Sequence, residues 1–152
     1  MNNVRSSLKT PFLAADVIIE LMDRPGRPIV LIERLNPPHG MAIPGGFVEH
    51  GLESVERAAV REALEETSLV VRLRALLGVY SNPARDPRFH TATAVYVAEA
   101  TGIPKAADDA KAIQVVAVEE IPLNLAFDHN LVLSDYLVFR AEGRVAPLRE
   151  ES

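Results

Sequence analysis

The chain has 152 residues, 48% apolar and 24% charged, with 16 Lys and Arg against 21 Asp and Glu for a formal charge of -5. That composition predicts a single globular domain over 1–152, argues against a disordered chain, and gives no general attraction to a nucleic acid polymer or an anionic membrane. The absence of cysteine excludes disulfides, thiolate catalysis and sulfur-ligated metals, and without a long apolar run or a charged-then-apolar leader the expected location is the cytoplasm.

The segment Pro11 to Asp23 is rich in branched apolar residues and ends at the turn signal "RPGRP", after which Ile29 to Arg34 reads as a second strand of a hairpin. Residues 35–46 carry too much Pro and Gly for a helix and are expected to form a loop with one short strand at Met41 to Ile43. A helix is predicted from Glu53 to Thr67, where Ala, Glu, Arg and Leu dominate. Its expected buried face is Leu52, Ala59, Val60, Ala63 and Leu64. Strands follow at Val70 to Ser81, His90 to Ala100 and Ile113 to Val118. A last helix is expected from about His129 to Ala141, with Asp128 as N-cap and Gly143 as stop. Residues 1–10 and 144–152 are expected to be loose. Strands, helix, strands, helix is the pattern of an α+β fold, a mixed sheet with helices on its faces.

Pro44 to Leu69 concentrates the chemistry, with a diglycine and six glutamates. Glu62, Glu65 and Glu66 are spaced i, i+3 and i+4, so they share an arc of about 100° on one side of a helix. Carboxylates that close repel one another unless a cation sits among them, and an all-oxygen donor set suits Mg²⁺ or Mn²⁺. Arg61 is positioned to fix a carboxylate orientation. The diglycine permits close backbone approach and can offer a carbonyl as a further ligand. A merely solvated acidic helix satisfies the spacing as well. Four scattered histidines, with no pair at ligand spacing, argue against a histidine zinc site.

The order of residues goes further than their spacing. "REALEETSL", Arg61 to Leu69, with Glu53 eight positions before Arg61 and "PGGFVE" preceding it, resembles the signature of the Nudix hydrolases. "YSNPARDPRFHT", "DDAK" and "LAFDHNLVL" are similar to segments of the ADP-ribose pyrophosphatase-like branch. The resemblance implies an α/β/α sandwich with a mixed sheet between helices, and Glu62, Glu65, Glu66 and Gly46 as metal ligands. It implies metal-dependent hydrolysis of a nucleoside diphosphate linked to another moiety, with a nucleotide-type small molecule as partner. ADP-ribose, cleaved to AMP and ribose 5-phosphate, is the expected substrate. Rival expectations are a nucleoside triphosphate pyrophosphohydrolase and a catalytically weak nucleotide-sugar sensor.

Two departures from the signature bear on these expectations. Leu52 is one residue too many between Gly46 and Glu53, and Ser68 stands where a glycine is expected. Arg34, Arg85 and Arg88 are candidates for gripping phosphate oxygens. Glu49 and Asp109 are further candidates near substrate, Asp109 as a general base, since Ala112 occupies the position where similar sequences carry a glutamate. Homodimerisation is an open expectation for a small sheet protein.

Overall fold

A computed structural model describes residues 8–107 and 110–150. Strand β1 (Phe12–Leu21) is buried at every position from Ala14 onward. Alternate side chains point to opposite faces of a strand, and here both faces meet a core. Ala15, Val17, Ile19 and Leu21 join one apolar cluster, and Ile18 joins another on the reverse side. Burial on both faces is why the run is nearly continuous in apolar residues rather than alternating.

The seven-stranded sheet has the central order β3-β2-β1-β6-β5. Strand β6 (Thr91–Ala100) runs parallel to β1 along its whole length, while β5 (Arg72–Tyr80) pairs antiparallel with β6. The sheet is therefore mixed, as expected. β1 and β2 (Ile29–Arg34) form the expected hairpin but share only the Glu20–Ile29 pairing before they part. The widening gap is filled by β3 (Met41–Ala42), which pairs with β2, and by β4 (Gly45–Phe47), which pairs with β1 at Ala14 to Asp16. Strand β4 falls where only loop was expected. Outside β2 lies β7 (Ala110–Val116).

Helix α1 (Val55–Thr67) starts at Ser54, whose Oγ accepts the Arg57 N–H at 3.2 Å. It packs on the β1 face through Ala58, Ala59, Ala63 and Thr67, with Glu66 also buried. The expected buried face is corrected in two places. Leu52 precedes the helix and is 79% exposed, and Leu64 lies on its flank at 49%. Small side chains, not leucines, make the contact, so the helix axis sits close to the sheet.

Helix α2 (His129–Glu142) covers the opposite face through Val132, Leu133 and Tyr136. The two helices enclose the sheet, giving the expected α/β/α sandwich. Two acidic residues of β1, Asp16 and Glu20, are buried with it. Glu20 accepts the Tyr136 hydroxyl at 2.5 Å and Arg140 Nη1 at 3.1 Å. Gly143 ends α2 in the left-handed region, as its position suggested. Asp128 occupies the N-cap position but its side chain caps nothing.

Residues 144–150 are docked rather than loose. The Ala146 N–H donates to the Leu77 carbonyl at 2.8 Å, and Arg149 grips the buried Asp135 carboxylate with both Nη atoms. No helix among the described residues is long and apolar enough to cross a membrane.

Ser68 closes α1 at φ 63°, its N–H donating to the Leu64 carbonyl. A side chain in that left-handed conformation is strained where glycine is not. Ser68→Gly should raise the unfolding free energy by about 0.5–1 kcal/mol, visible as a higher urea midpoint at unchanged m-value. A lower midpoint would show that the bond from Ser68 Oγ to the Lys105 carbonyl outweighs the strain.

Candidate active site

The parting of β1 and β2 opens a cleft of about 290 Å³, near the lower end of the ~300–1,000 Å³ usual for small-molecule sites. One wall is acidic and comes from α1 and β4. The other is basic and comes from β2 and the 81–90 loop.

On the acidic wall, Gly46 passes so close to the Glu62 carboxylate that a Cβ would overlap it, and Gly45 does the same against Asp16. The diglycine is thus a steric requirement of bringing β4 between β1 and α1. Burial pushes the Glu62 carboxyl above the usual range, against the opposing pull of Arg61. Burial first, then the neighbouring Glu62 and Asp16, push Glu66 up to about 9. Glu66 Oε2 is buried without a hydrogen-bond partner.

Arg61 organises this wall. Its Nε and Nη2 donate to the two oxygens of Glu53 at 2.8 and 2.7 Å, and Nη2 also reaches the Phe47 carbonyl. Nη1 donates to Glu62 Oε1 and Glu65 Oε2, both at 3.0 Å. The hydrogen bonds from Arg61 and from the Glu49 N–H lower the Glu53 carboxyl to about 2. Glu53 is therefore a clamp between loop and helix. Glu65 faces Arg61 and does not line the cleft, whereas Glu62 and Glu66 do. Among the described residues no three Asp, Glu, His or Cys side chains gather as a metal cluster. The expected trio is thus represented at the cleft by two of its members. The orphaned oxygen of Glu66 and the neighbouring Glu62 carboxylate are oxygen donors of the kind a hard divalent cation takes.

On the basic wall, Arg34 and Arg88 approach the ring of Phe127, with Cζ at 4.8 and 5.4 Å from its centroid. Burial and the neighbouring Arg88 both lower the pKa of Arg34, against the opposing pull of Glu66, Asp86 and Asp16. Arg34 Nε donates to the Pro38 carbonyl, and Arg88 is held by Asp86. Arg85 departs from expectation. It lines the cleft, but its guanidinium is committed to Asp128 through Nε and Nη2 and to Thr91 through Nη1. Burial requires such partners of an arginine, so Arg85 ties the loop to the start of α2 and leaves Asp128 unable to cap it.

Glu49 stands at the cleft rim, half exposed and 3.9 Å from Arg61. Asp109 lies outside the described residues. Leu52 is absorbed in an outward turn, its N–H donating to the Glu49 carbonyl, while Gly46 stays against Glu62. Glu56, without an expected role, accepts the Tyr96 hydroxyl. Asp16 and His129, both lining the cleft floor, were not singled out from sequence. The available signal was a lone acid in the apolar run "ADVII".

Sheet, acidic helix and two-signed cleft together define an α+β sandwich protein built to receive a charged small molecule. The NUDIX domain family matches residues 11–136, and the chain belongs to that family. A protein of Methanocaldococcus jannaschii described as an ADP-ribose pyrophosphatase is 45% identical over 130 residues, 84% of this chain and 73% of that one. The crystal structure of a mutT/nudix family protein from Listeria innocua superposes with a TM-score of 0.68 at 32% identity, covering 89% of this chain and 98% of that one. The NUDIX domain of Shewanella oneidensis NrtR, solved with ADP ribose, gives a TM-score of 0.73 over 90% of this chain and 97% of that one. At 20% identity it speaks for the fold alone.

Two measurements probe the acidic wall. Deleting Leu52 should change stability by no more than about 0.5 kcal/mol and leave metal-dependent turnover unaltered, since the residue projects outward. A rise in turnover on deletion would mean that the insertion displaces Gly46 after all. The second concerns Glu66, whose native pKa is raised from 4.5 to about 9. The native state then binds the extra proton between those values, so this stabilising contribution is complete below about pH 4.5 and is lost as pH rises through 9. In EDTA the melting temperature should decline across that window, and Glu66→Gln should flatten the decline. An equally steep decline in the variant would refute the assignment.

Proposed function

We propose that this protein hydrolyses the pyrophosphate bond of a nucleoside diphosphate joined to another moiety, with ADP-ribose, cleaved to AMP and ribose 5-phosphate, as its preferred substrate. One observation carries the reading. Glu62 and Glu66 on one wall face Arg34 and Arg88 on the other across a single cleft, and a diphosphate carrying a divalent cation satisfies both walls at once. The similarity to the Methanocaldococcus jannaschii protein supports ADP-ribose within that class.

Glu62, Glu66 and the Gly46 carbonyl would hold Mg²⁺ or Mn²⁺, and Glu65, which shares an Arg61 nitrogen with Glu62, would join them on release from that bond. When bound, the ion supplies Lewis-acid polarisation of the diphosphate and acidifies the attacking water. Arg34 and Arg88 bind phosphate oxygens and offset the charge that builds on them as the bridging bond lengthens. Arg61 keeps two carboxylates from swinging into solvent. Glu49, at the rim, and Asp109 are the carboxylates we assign as candidates to take the proton of the attacking water. Water oxygen bonds to one phosphorus, and the bridging oxygen departs with the other phosphate.

The test is a nucleotide panel with Mg²⁺ or Mn²⁺ containing ADP-ribose, dinucleotide cofactors and nucleoside triphosphates. ADP-ribose should show the highest kcat/KM, and Glu62→Gln and Glu66→Gln should each lower kcat by about 10²-fold or more. Mg²⁺ should also raise the melting temperature of the wild type more than that of Glu66→Gln. Background rates on every substrate would overturn the enzymatic reading, and a preference for triphosphates would move the substrate class.

A further inference from the structure

Phe127 stands two residues before α2 in a backbone conformation that bulky side chains avoid, at φ 57°. Its neighbours hold it there. The Ala126 N–H donates to the Met41 carbonyl at 2.8 Å, and the His129 N–H donates to the Ala126 carbonyl at 3.3 Å, so the chain turns sharply at Phe127. Glycine suits such a turn best, and strain of this kind clusters at ligand sites. The surroundings of the ring show what the strained position achieves. Phe127 lines the cleft, and three guanidinium carbons fall within the ~6 Å of a cation–π contact. Arg34 lies at 4.8 Å from the centroid, Arg88 at 5.4 Å and Arg85 at 5.9 Å.

The three arginines differ in what else they hold. Arg85 is neutralised by Asp128 and Arg88 by Asp86. Arg34 bonds only to carbonyls, Pro38 through Nε at 2.7 Å and Pro37 through Nη2 at 3.4 Å. Burial, then the neighbouring Arg88, bear against its charged form. Nη1 of Arg34 and Nη1 of Arg88 have no hydrogen-bond partner among the described residues. A carboxylate placed between the two guanidiniums would neutralise them but would also repel an arriving phosphate. An aromatic face attracts both cations through its quadrupole and carries no net charge.

We infer that Phe127 is a positioning residue, whose ring holds the Arg34 and Arg88 guanidiniums beside each other with their Nη1 groups free for phosphate oxygens. The inference rests on the reading of those two arginines as the phosphate grip of a pyrophosphohydrolase.

The experiment is a double-mutant cycle. Phe127→Leu keeps an apolar body and removes the quadrupole. It should lower kcat/KM for ADP-ribose about 5- to 30-fold, mainly through KM. In an Arg34→Gln background, where the two guanidiniums no longer have to share a face, the same change should cost less than about threefold. A ring that merely packs against Ile32 and Ala126 would cost the same factor in both backgrounds. That result overturns the inference, as does an unchanged value for the single variant. Phe127→Met repeats the cycle if the leucine variant melts below the assay temperature. If the wild type hydrolyses nothing, the pyrophosphohydrolase reading falls, and the cycle is scored on the Kd of inorganic pyrophosphate without metal. Coupling there sustains the role of Phe127, whereas additivity or absence of binding removes it.

Discussion

Strand β1 is buried on both faces from Ala14 to Leu21, and the positions of both helices follow from how that burial is satisfied. On one face the covering side chains are alanines and a threonine, so α1 lies close enough for Glu62 and Glu66 to reach the strand edge. On the other, β1 carries Asp16 and Glu20, and a buried acid requires donors. Tyr136 and Arg140 supply them for Glu20, which sets the lie of α2. Its first turn then brings His129 over Asp16. The cleft is the space left between these two solutions.

Opposite charges facing each other across a small cleft would ordinarily close it. Here each wall is tied internally. Arg61 takes Glu53, Glu62 and Glu65, Asp86 takes Arg88, and Asp128 takes Arg85. Among the described residues no ion pair joins Arg34 or Arg88 to Glu62 or Glu66. Arg34 feels Glu66 only at a distance. The walls are thereby held apart by their own internal pairings, and fixed charges of this kind are the condition under which electrostatic stabilisation is most effective.

Much of this was legible in the residues. Helix formers between Glu53 and Thr67, the hairpin at "RPGRP", and the stop at Gly143 depend on local chemistry, and local chemistry is written in order along the chain. The hold of Arg61 on Glu62 and Glu65 is local too. What escaped depends on contacts far apart in sequence. Strand β4 is three residues, two of them glycine, and exists because β1 offers an edge there. Arg85 looked like a phosphate ligand until Asp128, 43 residues later, took its guanidinium. The pairing of Asp16 with Thr93 and His129 spans three elements, and no periodicity announces it. Leu52 and Leu64 read as core because their type is usual there, but a close helix–sheet contact selects small residues.

The docked segment after α2 also alters how the sheet ends. β5 is an outer strand, and strands in that position display unpaired backbone groups that invite pairing with another chain. At Leu77, where the β5 register shifts, the free carbonyl is occupied by the Ala146 N–H, while Ala146 itself sits so close to Gly78 that a Cβ there would collide with it. Arg149 fastens the segment to Asp135 a few residues further on. The last stretch of the described chain thus works as a selvedge stitch, covering that margin of the sheet at Leu77 and Gly78.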